Sequence, residues 1–165
     1  MVQKGVPAHG NHTKWETKTV KVEEGEDVYG KFEHTIDAKG RLFLPSKLRE
    51  PLGEDFYVIP GLDTCLYVYN KEGWGKIQQK IDEVPLSQRT RLRCMLGSIA
   101  PSSLDKQGRF QLTAELKKFA QLDQEVTILG QGDHLEIWDR EIYRAQEAEQ
   151  LTPEYIRSVM EGLGF

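Results

Sequence analysis

Two aspartate–arginine pairs are the groups in this chain most suited to chemistry, and they belong to one phrase used twice. Asp37-Ala-Lys-Gly40-Arg41 and Asp105-Lys-Gln-Gly108-Arg109 repeat D-x-x-G-R, the second copy at a fixed offset that carries position 37 onto 105 and 41 onto 109. With each residue type at roughly five to seven per cent of an average chain, the pattern should arise about twice in ten thousand positions, so two copies in 165 residues point to duplication. Gly40 and Gly108 can take a positive φ without steric cost, and Asp37 and Asp105, at the head of each motif, can accept a backbone N–H and hold the turn. Arg41 and Arg109 then leave the turn in a fixed direction. A guanidinium held there pairs with the motif carboxylate, or forks onto a phosphate or onto the O6/N7 edge of guanine. A single copy reads best as a tight turn closed by an ion pair; two copies in basic surroundings weigh the two uses about evenly.

The elements that must position these turns repeat as well. Val28, Gly30, Phe32, His34 and Ile36 alternate before the first copy, and Leu42 and Leu44 after it, which predicts a hairpin around the glycine turn. Leu48 and Leu52, matched by Leu116, Phe119 and Ala120, predict a short helix in each half with those residues inward. After a one-residue slip, Tyr57, Ile59, Gly61, Leu66, Val68 and Tyr69 match Val126, Ile128, Gly130, Leu135, Ile137 and Trp138: two further strands, with Asp63 and Gly132-Asp133 at the turns. Asn70 and Asp139 stand where a helix N-cap is wanted. Trp74, Ile77, Ile81 and Val84 stripe the first longer helix, which Pro85 ends. Ser87 is the expected cap of a following helix with Leu92, Met95 and Leu96 as its core face and Gly97 as its stop. Thr152-Pro153 interrupts the last helical region, and Tyr155, Ile156, Val159 and Met160 suggest a final amphipathic turn or two.

Each half is therefore hairpin, short helix, hairpin, longer helix. A half of about 50 residues buries too little surface to be comfortably stable alone. The expected fold is α+β, two intimately paired copies about a pseudo-twofold axis sharing one core. The expected organisation is a polar N-terminal extension over 1–27, repeat 1 over 28–75, a helical connection over 76–97, repeat 2 over 98–141 and a C-terminal helical tail over 142–165.

Composition sets bounds on function. No apolar run approaches the length of a membrane span, and the segment 1–27 lacks the apolar core of a secretory signal. Val20 and Val22 alternate only weakly, and His9 and His12 lack partners for a metal site; no cofactor or small-molecule substrate is expected. Cys65 and Cys94, with no CxxC spacing, read as small buried hydrophobes of a cytosolic protein. Net charge is −4, which opposes bulk binding to nucleic acid. Its distribution does not: the segment 31–50 holds five bases against three acids, and 87–118 seven against two, while the remaining segments after position 50 are acidic. Base gathers around the two motifs, with Lys39 and Lys106 inside them. Catalysis has little support, because His34 and His134 have no paired nucleophile and arginine beside each motif carboxylate lowers its pKa and spoils it as a general acid.

The stretch G-K-F-E-H-T-I-D-A-K-G-R-L-F-L-P-S-K-L-R, with the second D-K-Q-G-R and L-G-Q-G-D-H-L-E-I-W, resembles the MraZ family of bacterial transcriptional regulators over about Tyr29 to Tyr143. That resemblance implies two AbrB-like (SpoVT-AbrB, swapped-hairpin) repeats forming an intramolecular pseudo-dimer. It implies DNA as partner at direct repeats near the promoter of the bacterial division and cell-wall gene cluster, usually in repression, by a ring-shaped homo-oligomer in the cytoplasm on the nucleoid. The family's D-x-x-x-R residues fall on Asp37, Arg41, Asp105 and Arg109, with the arginines as DNA contacts. Two departures stand out: the segment 1–27 extends beyond the family's usual start, and Gln107 replaces Lys39 of the first copy. The alternative is a swapped-hairpin module for a protein partner, as an antitoxin or assembly factor is. Antitoxins of this kind usually carry one repeat and a toxin-wrapping tail, whereas this chain has two repeats and a modest C-terminal segment.

Overall fold

A computed structural model describes residues 27–165; the extension, with His9, His12, Val20 and Val22, otherwise lies outside the described residues. The first repeat comprises β1 (Val28–Thr35), β2 (Arg41–Phe43), α1 (Ser46–Leu52), β3 (Asp55–Pro60), β4 (Cys65–Asn70) and α2 (Lys71–Asp82). A connector holds α3 (Leu86–Arg89), a 3-10 turn (Thr90–Leu92) and α4 (Arg93–Ser98). The second repeat runs β5 (Ala100–Ser103), β6 (Arg109–Gln111), α5 (Ala114–Phe119), β7 (Glu125–Gly132), β8 (Leu135–Asp139) and α6 (Arg140–Gln150), and α7 (Pro153–Gly162) follows.

The strands do not pair as local alternation predicts. The expected β1–β2 hairpin survives only as a bridge between Ile36 and Leu42. Instead β1 pairs with β7, β5 with β3, and β2 with β6, where the first and last of these are antiparallel pairings between repeats and the β5–β3 pairing likewise joins second repeat to first. Only β3–β4 and β7–β8 are hairpins within a repeat, and β4–β8 joins them. The large sheet has the order β1-β7-β8-β4-β3-β5, which maps onto itself when the repeats are exchanged, and β2–β6 forms a small ribbon of its own. β2 is only three residues long and pairs all of them with β6, so each first strand finds its hydrogen bonds on the other repeat.

One core results. Leu42, Leu48, Phe56 and Val68 from the first repeat pack with Phe110, Leu116, Ile128 and Ile137 from the second, all essentially without solvent exposure. Phe56 and Phe110 meet edge to face across the repeats with centroids 5.1 Å apart. On the opposite sheet face α2 and α6 each cover their own hairpin: Tyr57 stacks on Trp74 at 5.0 Å, and Trp138 and Leu129 pack under Ile142 and Tyr143. Both predicted caps form, the Asn70 side chain accepting from the N–H of Gly73 and the Asp139 carboxylate from those of Glu141 and Ile142.

Several expectations need correction. Phe119 is exposed at the end of α5 while its neighbours Leu116 and Ala120 are buried, because the six-residue helix ends before its face completes a second turn. Pro45 and Pro85, not side-chain oxygens, precede α1 and α3, so Ser87 lies inside α3 and caps nothing. Gly97 lies inside α4, whose extended C-cap is Ile99. Cys65 is buried and desolvation pushes its thiol up to about 12, but Cys94 faces solvent from the connector. His134, which strand-like alternation around it would place in a strand, sits in the β7–β8 turn against Tyr67 and Tyr69. The final amphipathic segment is ten residues long, started by the Thr152 hydroxyl accepting from Tyr155, and it leaves Tyr155, Ile156, Val159 and Met160 partly exposed on one face. No helix among the described residues is long and apolar enough to cross a membrane.

The β1–β7 contact is close enough to test the interpenetration. A Cβ on Gly130 would stand 2.6 Å from the Val28 carbonyl oxygen and 2.8 Å from the Tyr29 Cα, both backbone atoms that cannot swing aside. Gly130→Ala should therefore lower stability by about 1–3 kcal/mol, as overpacking does, read as a fall in Tm by calorimetry. An unchanged Tm would mean that β1 is not clamped on the other repeat.

Candidate nucleic-acid interface

The pairing of β2 with β6 brings the two repeated turns together. Its register sets Arg41 opposite Gln111, Leu42 opposite Phe110 and Phe43 opposite Arg109. Strand alternation buries Leu42 and Phe110 and turns the other four side chains outward. The ribbon is extended by bonds into each turn, the N–H of Leu44 donating to the Gly108 carbonyl and that of Leu112 to the Gly40 carbonyl. Two motifs from opposite halves of the chain thus share one surface.

Both turns have the predicted chemistry. Gly40 and Gly108 take φ of 77° and 78°. Asp37 Oδ1 accepts the N–H groups of Lys39 and Arg41 at 3.0 and 2.9 Å, and Asp105 Oδ1 those of Gln107 and Arg109 at 2.9 Å each. The second carboxylate oxygen takes the guanidinium edge-on: Arg41 Nε lies 2.8 Å from Asp37 Oδ2 and Arg109 Nε 2.9 Å from Asp105 Oδ2. Backbone N–H donors, from Arg41 and Arg109 first, hold both carboxyls below their usual range. The turns also touch electrostatically, since Arg109 Nη1 stands 3.9 Å from Asp37 Oδ2. Asp37 is thereby shared by both arginines.

The consequence is chemical. Each arginine is oriented through Nε, which leaves its Nη groups without a hydrogen-bond acceptor among the described residues, with Arg109 Nη1 also facing Asp37 Oδ2. Those groups are the donor pair that forks onto a phosphate or a guanine. Lys39 and Lys106 are exposed at the tips of the turns and enter no ion pair among the described residues.

Two basic residues not singled out from the sequence complete the surface. Arg49 on α1 lies against Gly108, and Lys117 on α5 against Gly40, so each repeat's helix braces the other repeat's turn. Arg49 also donates from Nε to the Leu44 carbonyl at 2.8 Å and sits 4.7 Å over the Phe43 ring. Their equivalence is legible at the same offset that relates the motifs, but their crossing is not, because it follows from pairing between repeats. No cluster of three or more metal-ligating side chains occurs among the described residues.

Fold and surface define a duplicated α+β protein in which two arginine-bearing turns meet on the axis relating the repeats. A family model described as "MraZ protein, putative antitoxin-like" matches residues 28–94 and again 95–155. The chain is 41% identical over 119 residues to the transcriptional regulator MraZ of Thermoanaerobacter sp. (strain X514), covering 70% of this chain and 83% of that relative. It is 40% identical over 129 residues to the regulator of that name from Heliobacterium modesticaldum, covering 76% and 90%. The match to that of Caldicellulosiruptor saccharolyticus is 39% over 141 residues, covering 83% and 99%. The chain belongs to the MraZ family of transcriptional regulators.

The depressed carboxyls predict an acid limb. Their stabilisation is fully present above the ordinary aspartate pKa of about 4 and is lost as pH falls through the lower folded values. Replacing both, Asp37→Asn with Asp105→Asn, should lower Tm at neutral pH and flatten its fall below about pH 4. An unaltered acid limb would show that the turns do not depend on ionised carboxylates.

Proposed function

We propose that this chain is a sequence-specific DNA-binding regulator that contacts the duplex with the outward face of the β2–β6 ribbon. Arg41 and Arg109 are the reading groups, and Lys39 and Lys106 contact phosphates. One observation carries this: two guanidinium groups, each fixed through Nε by its own motif aspartate, stand on a single surface with their Nη groups free of hydrogen bonds among the described residues. A turn needing only closure would be served by the aspartate and glycine alone. With a net charge of −4, affinity has to come from this local surface and not from bulk attraction. The family resemblance adds the setting: direct repeats at the division and cell-wall gene promoter, usually repressed, in the cytoplasm on the nucleoid.

A ring of copies belongs to the same reading. The partly exposed apolar face of α7, flanked by Glu154 and Glu161, complements a connector bearing exposed Leu86, Arg91 and Arg93 on a second copy. A contact between unlike surfaces repeats head to tail and closes into a ring when its rotation allows. The antitoxin-like alternative would put a different protein on that face.

Arg41→Ala and Arg109→Ala should each weaken binding to promoter DNA by about 1–3 kcal/mol in fluorescence anisotropy, with unchanged circular dichroism. Wild-type affinity in both folded variants would reduce the motif to a turn. Affinity should also rise about 10² to 10⁴ when several boxes at regular helical spacing replace one, and half a helical turn inserted between boxes should remove most of that gain. Equal binding to one box and to several would eliminate the multivalent mechanism.

A further inference from the structure

The two-fold relation holds for the backbone, while the charges beside the two turns are placed differently. Because the strands cross, the Asp37 turn is flanked by α5 of the second repeat and the Asp105 turn by α1 of the first. At matched positions Lys118 stands against Glu50 and Lys39 against Gln107, while Glu115 against Lys47 and Ala38 against Lys106 run the other way, so the contrast lies in the hollows beside the turns and not in the total. The open hollow beside the Asp37 turn is lined, among charged groups, by Lys117 and Lys118 with Asp37 and Asp123. Its counterpart beside the Asp105 turn is lined by Arg49 with Glu50, Glu54, Asp55 and Asp105. Two cations against two carboxylates face one cation against four.

The cations themselves differ in availability. Arg49 is held through Nε by the Leu44 carbonyl, and its guanidinium is sandwiched between the Phe43 ring and the Gly108 backbone. Lys117 and Lys118 enter no ion pair among the described residues, and the Lys117 ammonium lies where a Cβ on Gly40 would stand 2.9 Å from it. The outward ribbon is unequal as well: Phe43 occupies one symmetry position and Gln111 the other, with Gln111 Nε2 donating to the Lys39 carbonyl at 2.8 Å.

The geometry points to a polar footprint on DNA: the chain binds an asymmetric box in one orientation, with phosphates running over the Asp37 turn and onto Lys117 and Lys118. This rests on the DNA-binding reading of the ribbon. Beyond Arg109 the backbone is held off by the carboxylates around Glu50, because like charges within a Debye length of about 8 Å repel at physiological salt. Lys117 and Lys118 are thus phosphate-contacting residues outside either motif, and Glu50 is a negative determinant of orientation.

Affinity for a single promoter box, measured by anisotropy across a salt series, tests this. The slope of log affinity on log salt is about −0.9 per phosphate neutralised, so Lys117→Ala with Lys118→Ala should flatten it by about two units and weaken binding about tenfold. Lys47→Ala should change affinity less than twofold, and Glu50→Lys should strengthen it several-fold by supplying the missing counterpart of Lys118. Equal losses from the lysines of α5 and from Lys47 would overturn the proposal. Orientation is read separately with an iron chelate on Lys39→Cys or Gln107→Cys in a Cys94→Ser background: each should cut one end of the box, the two sites cutting opposite ends. Cutting at both ends from each site would also overturn it. If wild type binds no duplex, the DNA reading falls and the polarity with it; if wild type binds and the two flanks are equivalent, the polarity alone falls.

Discussion

Neither repeat can complete its own hydrogen-bond ladder, and the rest of the architecture follows from that. A three-residue β2 that pairs along its whole length with β6 leaves β1 and β2 joined by a single bridge, so the remaining donors and acceptors of β1 must be matched elsewhere. The other repeat offers the complementary edges: β7 and β3 receive β1 and β5, and β2 and β6 receive each other. The same exchange places Phe56 against Phe110 and builds one core from two halves that are each too small to hold one. It also accounts for the surface, because the ribbon on the axis is where the two turns must meet.

Within the turns, rigidity arises from hydrogen bonds more than from burial. Asp37 and Asp105 each collect two backbone N–H donors and one guanidinium Nε–H, fixing turn and arginine with a single side chain. An arginine oriented in this way loses less conformational freedom on meeting a ligand than a free one. Arg49 and Lys117, braced across the repeats, tie the position of each turn to the core beneath the opposite helix.

Much of this is legible in the sequence because duplication is a local signal. The constant offset between the motifs, the positive φ of Gly40 and Gly108 and the caps at Asn70 and Asp139 all depend on near neighbours. The register of β3 against β7 does not: Phe56 and Val58, not Tyr57 and Ile59, face the core as Val126 and Ile128 do. Strand partners do not depend on near neighbours either: alternation marks β1 and β2 as strands without saying which edge each will meet, and a hairpin is only the nearest choice. Phe119 and Cys94 depart from expectation for a related reason. Helical spacing identifies a face, but whether it is covered depends on where a six-residue helix ends and what packs beside it. Arg49 and Lys117 escape a sequence reading since their neighbours belong to the other repeat.

The central claim is that both turns act as one DNA-facing surface, and hydrogen–deuterium exchange followed by mass spectrometry, with and without promoter DNA, tests it most directly. The account predicts that slowed exchange on binding concentrates in peptides spanning 37–43 and 105–111 together, with the end of α5 included. Protection confined to one turn, or found instead on α2 and α6 across the opposite sheet face, would contradict it.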